Sequence, residues 1–96
     1  MSGSPVPHSP AEKKRVLTRV RRLRGQVEAL ERALEAGADC APVLQQIAAI
    51  RGAAHGLMSE VMESHLREQF GQAARSEADR RARIEEMTAL VRAYLK

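Results

Sequence analysis

The sequence predicts an all-α fold, on three observations. Apolar residues make up 44% of the chain but aromatics only 2%, so burial must come from Leu, Val, Ile, Ala and Met, a helix-compatible set. Apolar positions recur in alternating steps of four and three along two long segments. Helix-start and helix-stop residues flank those segments. With 96 residues and 10.6 kDa there is room for one small core, and a large enzyme pocket is not expected.

Residues 1–8 (MSGSPVPH) are small, Pro-rich and polar, and read as a flexible tail before a single helical domain over 9–96. In Ser9-Pro10-Ala11-Glu12 the serine can cap, Pro10 takes the first helical position where its missing N–H costs nothing, and Glu12 completes a capping box. Helix 1 is expected from about Pro10 to Ala36, ended by Gly37, with Val16, Val20, Leu23, Val27, Leu30 and Leu34 forming its seam. Asp39 is a candidate cap for helix 2, which places Cys40 in the first turn and Pro42 early enough to be tolerated. Val43, Ile47, Ile50, Ala54, Leu57 and Val61 repeat the same spacing, and helix 2 should run to about Phe70. Ala48, Gly52 and Gly56 share one face of it, which predicts close approach of another helix backbone there. A third, short helix is expected after Ser76 and Asp79, with Ile84, Met87, Val91 and Leu95 on one side.

Two antiparallel helices cover one face of each other. The second side of helix 2, with Leu44, Met58, Met62 and Leu66, is then left uncovered. Dimerisation into a four-helix core is the expected solution.

The net charge of +4 hides an asymmetry. Lys13, Lys14, Arg15, Arg19, Arg21, Arg22 and Arg24 fall together with no acid among them, and the rest of the chain is net acidic. Such a block suits a polyanion, nucleic acid before an anionic membrane. On a helical wheel Arg15, Arg19 and Arg22 form a stripe beside the seam, with Lys14 and Arg21 opposite it, and Arg51 is the only Lys or Arg between Arg32 and Arg67. Lys14, Arg15, Arg19, Arg22 and Arg51 are the expected phosphate contacts. No helix-turn-helix or zinc finger is apparent, so backbone contacts and DNA shape are the expected mode of reading. No apolar run is long enough for a membrane span and no secretory signal is present, which predicts a cytoplasmic protein. There is no nucleophile elbow, Gly-rich phosphate loop, HExxH or CxxC pair, so an enzyme is not expected.

Cys40, His8, His55 and His65 remain as reactive or ligating candidates. A single cysteine excludes an intrachain disulfide. A lone cysteine is most often a small buried hydrophobe, but the positive end of a helix favours a reactive thiolate, so both readings stay open. His55 sits between Ala54 and Gly56 and reads as structural. Cys40 and His65 lie on one helix, roughly 37 Å apart at 1.5 Å per residue, so only two subunits can bring them together.

The segments KKRVLTRVRRLRGQVEALERALE, the lone cysteine, VLQQIAAIRGAAHGLMSEVMESHLRE and a closing LVRAYLK resemble, in order, the CsoR/RcnR/FrmR family of bacterial metal- and formaldehyde-responsive repressors. The resemblance spans about Pro7 to Lys96 and is nearest the FrmR branch. It implies an all-helical subunit, a homotetramer built as a dimer of dimers, operator DNA as partner, and release of DNA when an inducer binds between subunits. Cys40 and His65 match family inducer-site positions. The second cysteine of copper sensors falls at Gln69, which removes a soft ligand. Nickel and cobalt sensors match at His8, Cys40 and His65 but place a histidine where Gln69 stands; nickel, cobalt or zinc on those three residues is the alternative reading. Sulfur-sensing relatives use paired cysteines, absent here.

The FrmR branch implies a formaldehyde bridge between Cys40 of one subunit and an N-terminal proline of another, matched by Pro7. A terminal proline is a secondary amine that condenses with formaldehyde to an iminium ion, which a thiolate can attack. Here Pro7 follows Val6, and an internal proline nitrogen is an unreactive amide. If Val6 marks an alternative start read as methionine, removal of that methionine exposes Pro7. No cofactor is then required.

Overall fold

The computed structural model describes residues 9–71 and 73–94. It holds three helices, α1 (Pro10–Glu35), α2 (Cys40–Gly71) and α3 (Glu77–Tyr94), and no strand among the described residues. The expected all-α, three-helix subunit is therefore observed. The 1–8 tail, with Pro7 and His8, lies outside the described residues, as does Leu95.

Local signals set the helix ends. The Ser9 hydroxyl accepts a hydrogen bond from the Glu12 backbone N–H at 3.0 Å and donates to the Glu12 carboxylate at 3.2 Å. Glu12 thus returns to the serine side chain in this cap. Gly37 adopts φ +74°, the left-handed region, and Ala38 N–H reaches Ala33 O at 2.9 Å while Gly37 N–H reaches Leu34 O at 3.1 Å. That pair of bonds is a Schellman ending, and it turns the chain within Ala36–Asp39. At α3, Ser76 Oγ accepts from Asp79 N–H at 3.1 Å and the Asp79 carboxylate accepts from Arg75 N–H at 2.9 Å.

Cross-helix pairs fix the topology. Glu12 meets Arg67, and Arg15 meets Glu60, so α1 and α2 run antiparallel. Glu86 meets His65 and Arg83 bonds Gln69 O, so α3 folds back antiparallel along the last third of α2. The central helix is consequently covered from two directions. Ser64 is 1% exposed and Met62 7%, although residues two apart on a helix point about 200° apart. Burial of Met62 beneath α3 corrects the expectation that this whole side of α2 stays open; Leu66 is half-buried, while Leu44 and Met58 are exposed. Met87 of α3 completes the buried apolar set.

Only one column of each seam is covered. Val16, Leu23 and Leu30 are half-buried, whereas Val20, Val27 and Leu34 are exposed; on α2, Val43, Ile50 and Leu57 are half-buried and Ile47 is exposed. The radius of gyration is 17.7 Å, against roughly 13 Å for a compact domain of this size. Within the subunit no helix backbone packs on the glycine stripe: nothing approaches Gly52 within 4 Å, and Gly56 faces the Arg19 side chain. His55, read from the sequence as structural, is exposed within the subunit.

Candidate nucleic-acid interface and sensor residues

Lys14, Arg15, Arg19 and Arg22 of α1 line one groove against α2, joined there by Gly56, Ser59, Glu60, Glu63 and Arg67. Its volume is about 730 Å³ and it opens widely to solvent. Four of the five expected phosphate contacts are thereby gathered on one surface. Lys14, opposite the apolar seam on α1, lines the same groove as the arginine stripe. Arg51 does not line the groove. It precedes Gly56 by five positions, which turns it roughly 140° around α2.

The groove is not uniformly positive. Glu60 Oε1 accepts from Arg15 Nε at 3.1 Å, and its other oxygen, Oε2, accepts from Arg19 Nε. Arg67 lies 3.4 Å from Glu12 and 3.9 Å from Glu63. Glu60 was not legible as part of the basic surface in the sequence because it sits more than forty positions from the two arginines it meets. The usable signal was the antiparallel pairing of the two seams, which brings Glu60 opposite Arg15 and Arg19. The Glu12 carboxyl is held below its ordinary value. The adjacent Ser64 hydroxyl, which makes no bond of ordinary geometry but favours the charged form, is the largest influence lowering it; Arg67 and Ser9 act in the same direction and burial opposes them.

Cys40 is the first residue of α2 and is exposed, so the reading of it as a buried hydrophobe is set aside. His65 is 18% exposed and its Nε2 lies 3.1 Å from Glu86 Oε1. Within one chain Cys40 and His65 occupy distant turns of the same helix, as expected from their spacing. Among the described residues no three His, Cys, Asp or Glu side chains gather to hold a metal ion. No helix among them is long and apolar enough to cross a membrane.

An all-helical subunit with a cation-rich groove along its helix pair and an open thiol at a helix start has the make-up of a small helical DNA-binding regulator. The chain belongs to the metal-sensitive transcriptional repressor family, which matches residues 12–93. It is a transcriptional repressor and not an enzyme, and the resemblance carried by its sequence segments is borne out. A variant of the formaldehyde-responsive regulator FrmR from Salmonella enterica serovar Typhimurium superposes with a TM-score of 0.78 at 58% identity, covering 92% of this chain and 99% of its own. The transcriptional repressor RcnR of Salmonella arizonae is 47% identical over 75 residues, 75% of this chain and 83% of its own. An uncharacterised protein of Serratia marcescens, from the bioA 5′ region, is 49% identical over 89 residues, 93% of this chain and 98% of its own.

Proposed function

We propose that this repressor holds operator DNA until formaldehyde joins its subunits through Cys40. The observation that carries the reading is the exposed position of the only cysteine at the first residue of α2, in a chain 58% identical to a formaldehyde-responsive regulator. A thiol so placed is open to a small electrophile and to the amino end of a neighbouring subunit.

The chemistry balances without a metal or an oxidant. A free amine adds to the formaldehyde carbon, water leaves, and the resulting iminium carbon accepts the Cys40 sulfur, with one proton lost from the amine and one from the thiol. The N–CH2–S product links two subunits. Pro7, as a freed terminal amine, is the proposed partner. A covalent link is compatible with one relative placement of the subunits, so it biases a quaternary equilibrium that DNA binding biases the other way.

Tetramer formation, as a dimer of dimers, belongs to this proposal. Support comes from the unpartnered columns on Val20, Val27, Leu34 and Ile47, which a second helix pair would cover. Lys14, Arg15, Arg19 and Arg22 contact phosphates in this reading, and Arg51 contributes from a separate face. The cytoplasm is the compartment proposed for such a repressor.

Release of operator DNA titrated with formaldehyde, Ni(II), Co(II) and Cu(I) tests the inducer. Formaldehyde alone should release the DNA, and intact mass should rise by about 12 Da per bridge, one carbon gained after water leaves. Cys40→Ser should abolish the response and leave DNA binding intact. Release by nickel or cobalt with no response to formaldehyde would replace this reading with a metal site on His8, Cys40 and His65, in keeping with the metal-sensitive family.

A further inference from the structure

We propose that Glu60 is a positioning residue for DNA binding: it holds Arg15 and Arg19 as a fixed pair that receives backbone phosphate, with Gly56 leaving the space in which Arg19 lies. The inference rests on the operator-binding reading of the groove and assigns a role to an acid inside it.

The geometry separates two opposite roles an acid could play here. A carboxylate on the outer rim would compete with phosphate for the arginines. Glu60 is instead 15% exposed, beneath Arg15 and Arg19, which remain 56% and 46% exposed. Each carboxylate oxygen takes one guanidinium, and each guanidinium is engaged through Nε. A phosphate approaching from solvent therefore meets the open sides of two arginines before it meets the acid. Arginine carries much rotamer freedom, which a phosphate contact must otherwise remove on binding. A shared carboxylate removes that freedom for both side chains beforehand.

Gly56 is the second part of the arrangement. A Cβ built there would lie 2.9 Å from Arg19 Nη1, closer than real contacts allow, with no other group nearer than Arg19 Cζ at 3.9 Å. The space over this glycine is thus occupied by the guanidinium itself. An alanine would meet only the far end of a flexible side chain, so Arg19 would move while the helix stayed intact. Lys14 and Arg22 line the same groove and extend the cationic track on either side of the pair.

The test measures binding of the full-length protein to a short fluorescent duplex of arbitrary sequence across a salt series, because phosphate contacts are independent of sequence. Glu60→Gln makes the protein more positive, so long-range attraction alone would tighten binding. The positioning role requires the reverse: about three- to tenfold weaker binding and a salt slope smaller by about one. Gly56→Ala should weaken binding similarly while retaining helix content and melting temperature by circular dichroism. Tighter or equal binding by Glu60→Gln, or full binding by Gly56→Ala, overturns the proposal. The double variant Arg15→Ala/Arg19→Ala separates it from the reading beneath. Wild-type binding by the double variant removes the groove as a DNA contact and the positioning role with it. Weak binding by the double variant alongside tight binding by Glu60→Gln removes the positioning role alone.

Discussion

Arg67, in the last third of α2, reaches the carboxylate of Glu12, in the first turn of α1, at 3.4 Å across 55 positions of sequence. The pair closes the end of the helix hairpin at which α1 begins. It also ties the start of the first helix to a side chain that lines the basic groove.

Glu12 makes the stability of this end pH-dependent. Its carboxyl is held below the ordinary 4.5, first by Ser64 and then by Arg67 and Ser9. A carboxyl whose folded pKa is depressed stabilises the fold above its unfolded pKa, and that contribution is lost as pH falls through the folded value. Glu12→Gln should therefore melt at a lower temperature than wild type at neutral pH, and the gap should close on acidification below 4.5. Melting at fixed protein concentration across the acid range checks this; a gap independent of pH would refute it.

Gly37 is required by its backbone and not by space. Its φ is +74° and nothing approaches the position of a Cβ within 4 Å. Gly37→Ala should cost about 1–2 kcal/mol, the penalty for an L side chain in the left-handed region. Gly37→Asn should cost less, since asparagine tolerates that region best. Denaturant unfolding of the three proteins orders them.

Arg83 holds α3 to the end of α2. Its guanidinium donates to Gln69 O at 2.7 Å and Ala73 O at 3.4 Å and pairs with Asp79 at 3.1 Å. Arg83→Ala removes these bonds, with water able to take their place at the exposed Ala73 carbonyl, and should cost about 1 kcal/mol. Amide exchange should quicken through α3 while the α1–α2 hairpin keeps its protection. Equal acceleration in both regions would show that α3 and the hairpin open together.

The N-terminus gives a chemical prediction. A protein beginning at Pro7 presents a secondary amine and should respond to formaldehyde at lower concentration than one beginning at Met1, whose primary amine lies six residues earlier on the chain. In both, Cys40→Ser should abolish release of DNA. Equal sensitivity of the two forms would remove the proline from the mechanism.

The helices were legible because their determinants are local. Ser9, Gly37 and Ser76 announce helix ends through bonds that reach at most five residues, and the four-and-three spacing of Val16 to Leu34 marks an apolar seam whatever lies opposite. The basic stripe was legible for the same reason, since Arg15, Arg19 and Arg22 are neighbours on one helix. The partners were not. A periodicity states that a face is apolar without stating which column another helix covers, so Val16 and Val20 read alike although one is half-buried and the other exposed.

By itself the sequence determined the three helices, their ends, the cationic block and the single thiol, all set within a few turns of one chain segment. Only the tertiary structure decided that Glu60 lies beneath Arg15 and Arg19, that the space over Gly56 holds a guanidinium, and that Met62 is buried beside Leu90 and Tyr94 of α3. Each depends on the register between two helices. That register is a balance of packing and ion pairing summed over the whole interface, and no single segment carries it.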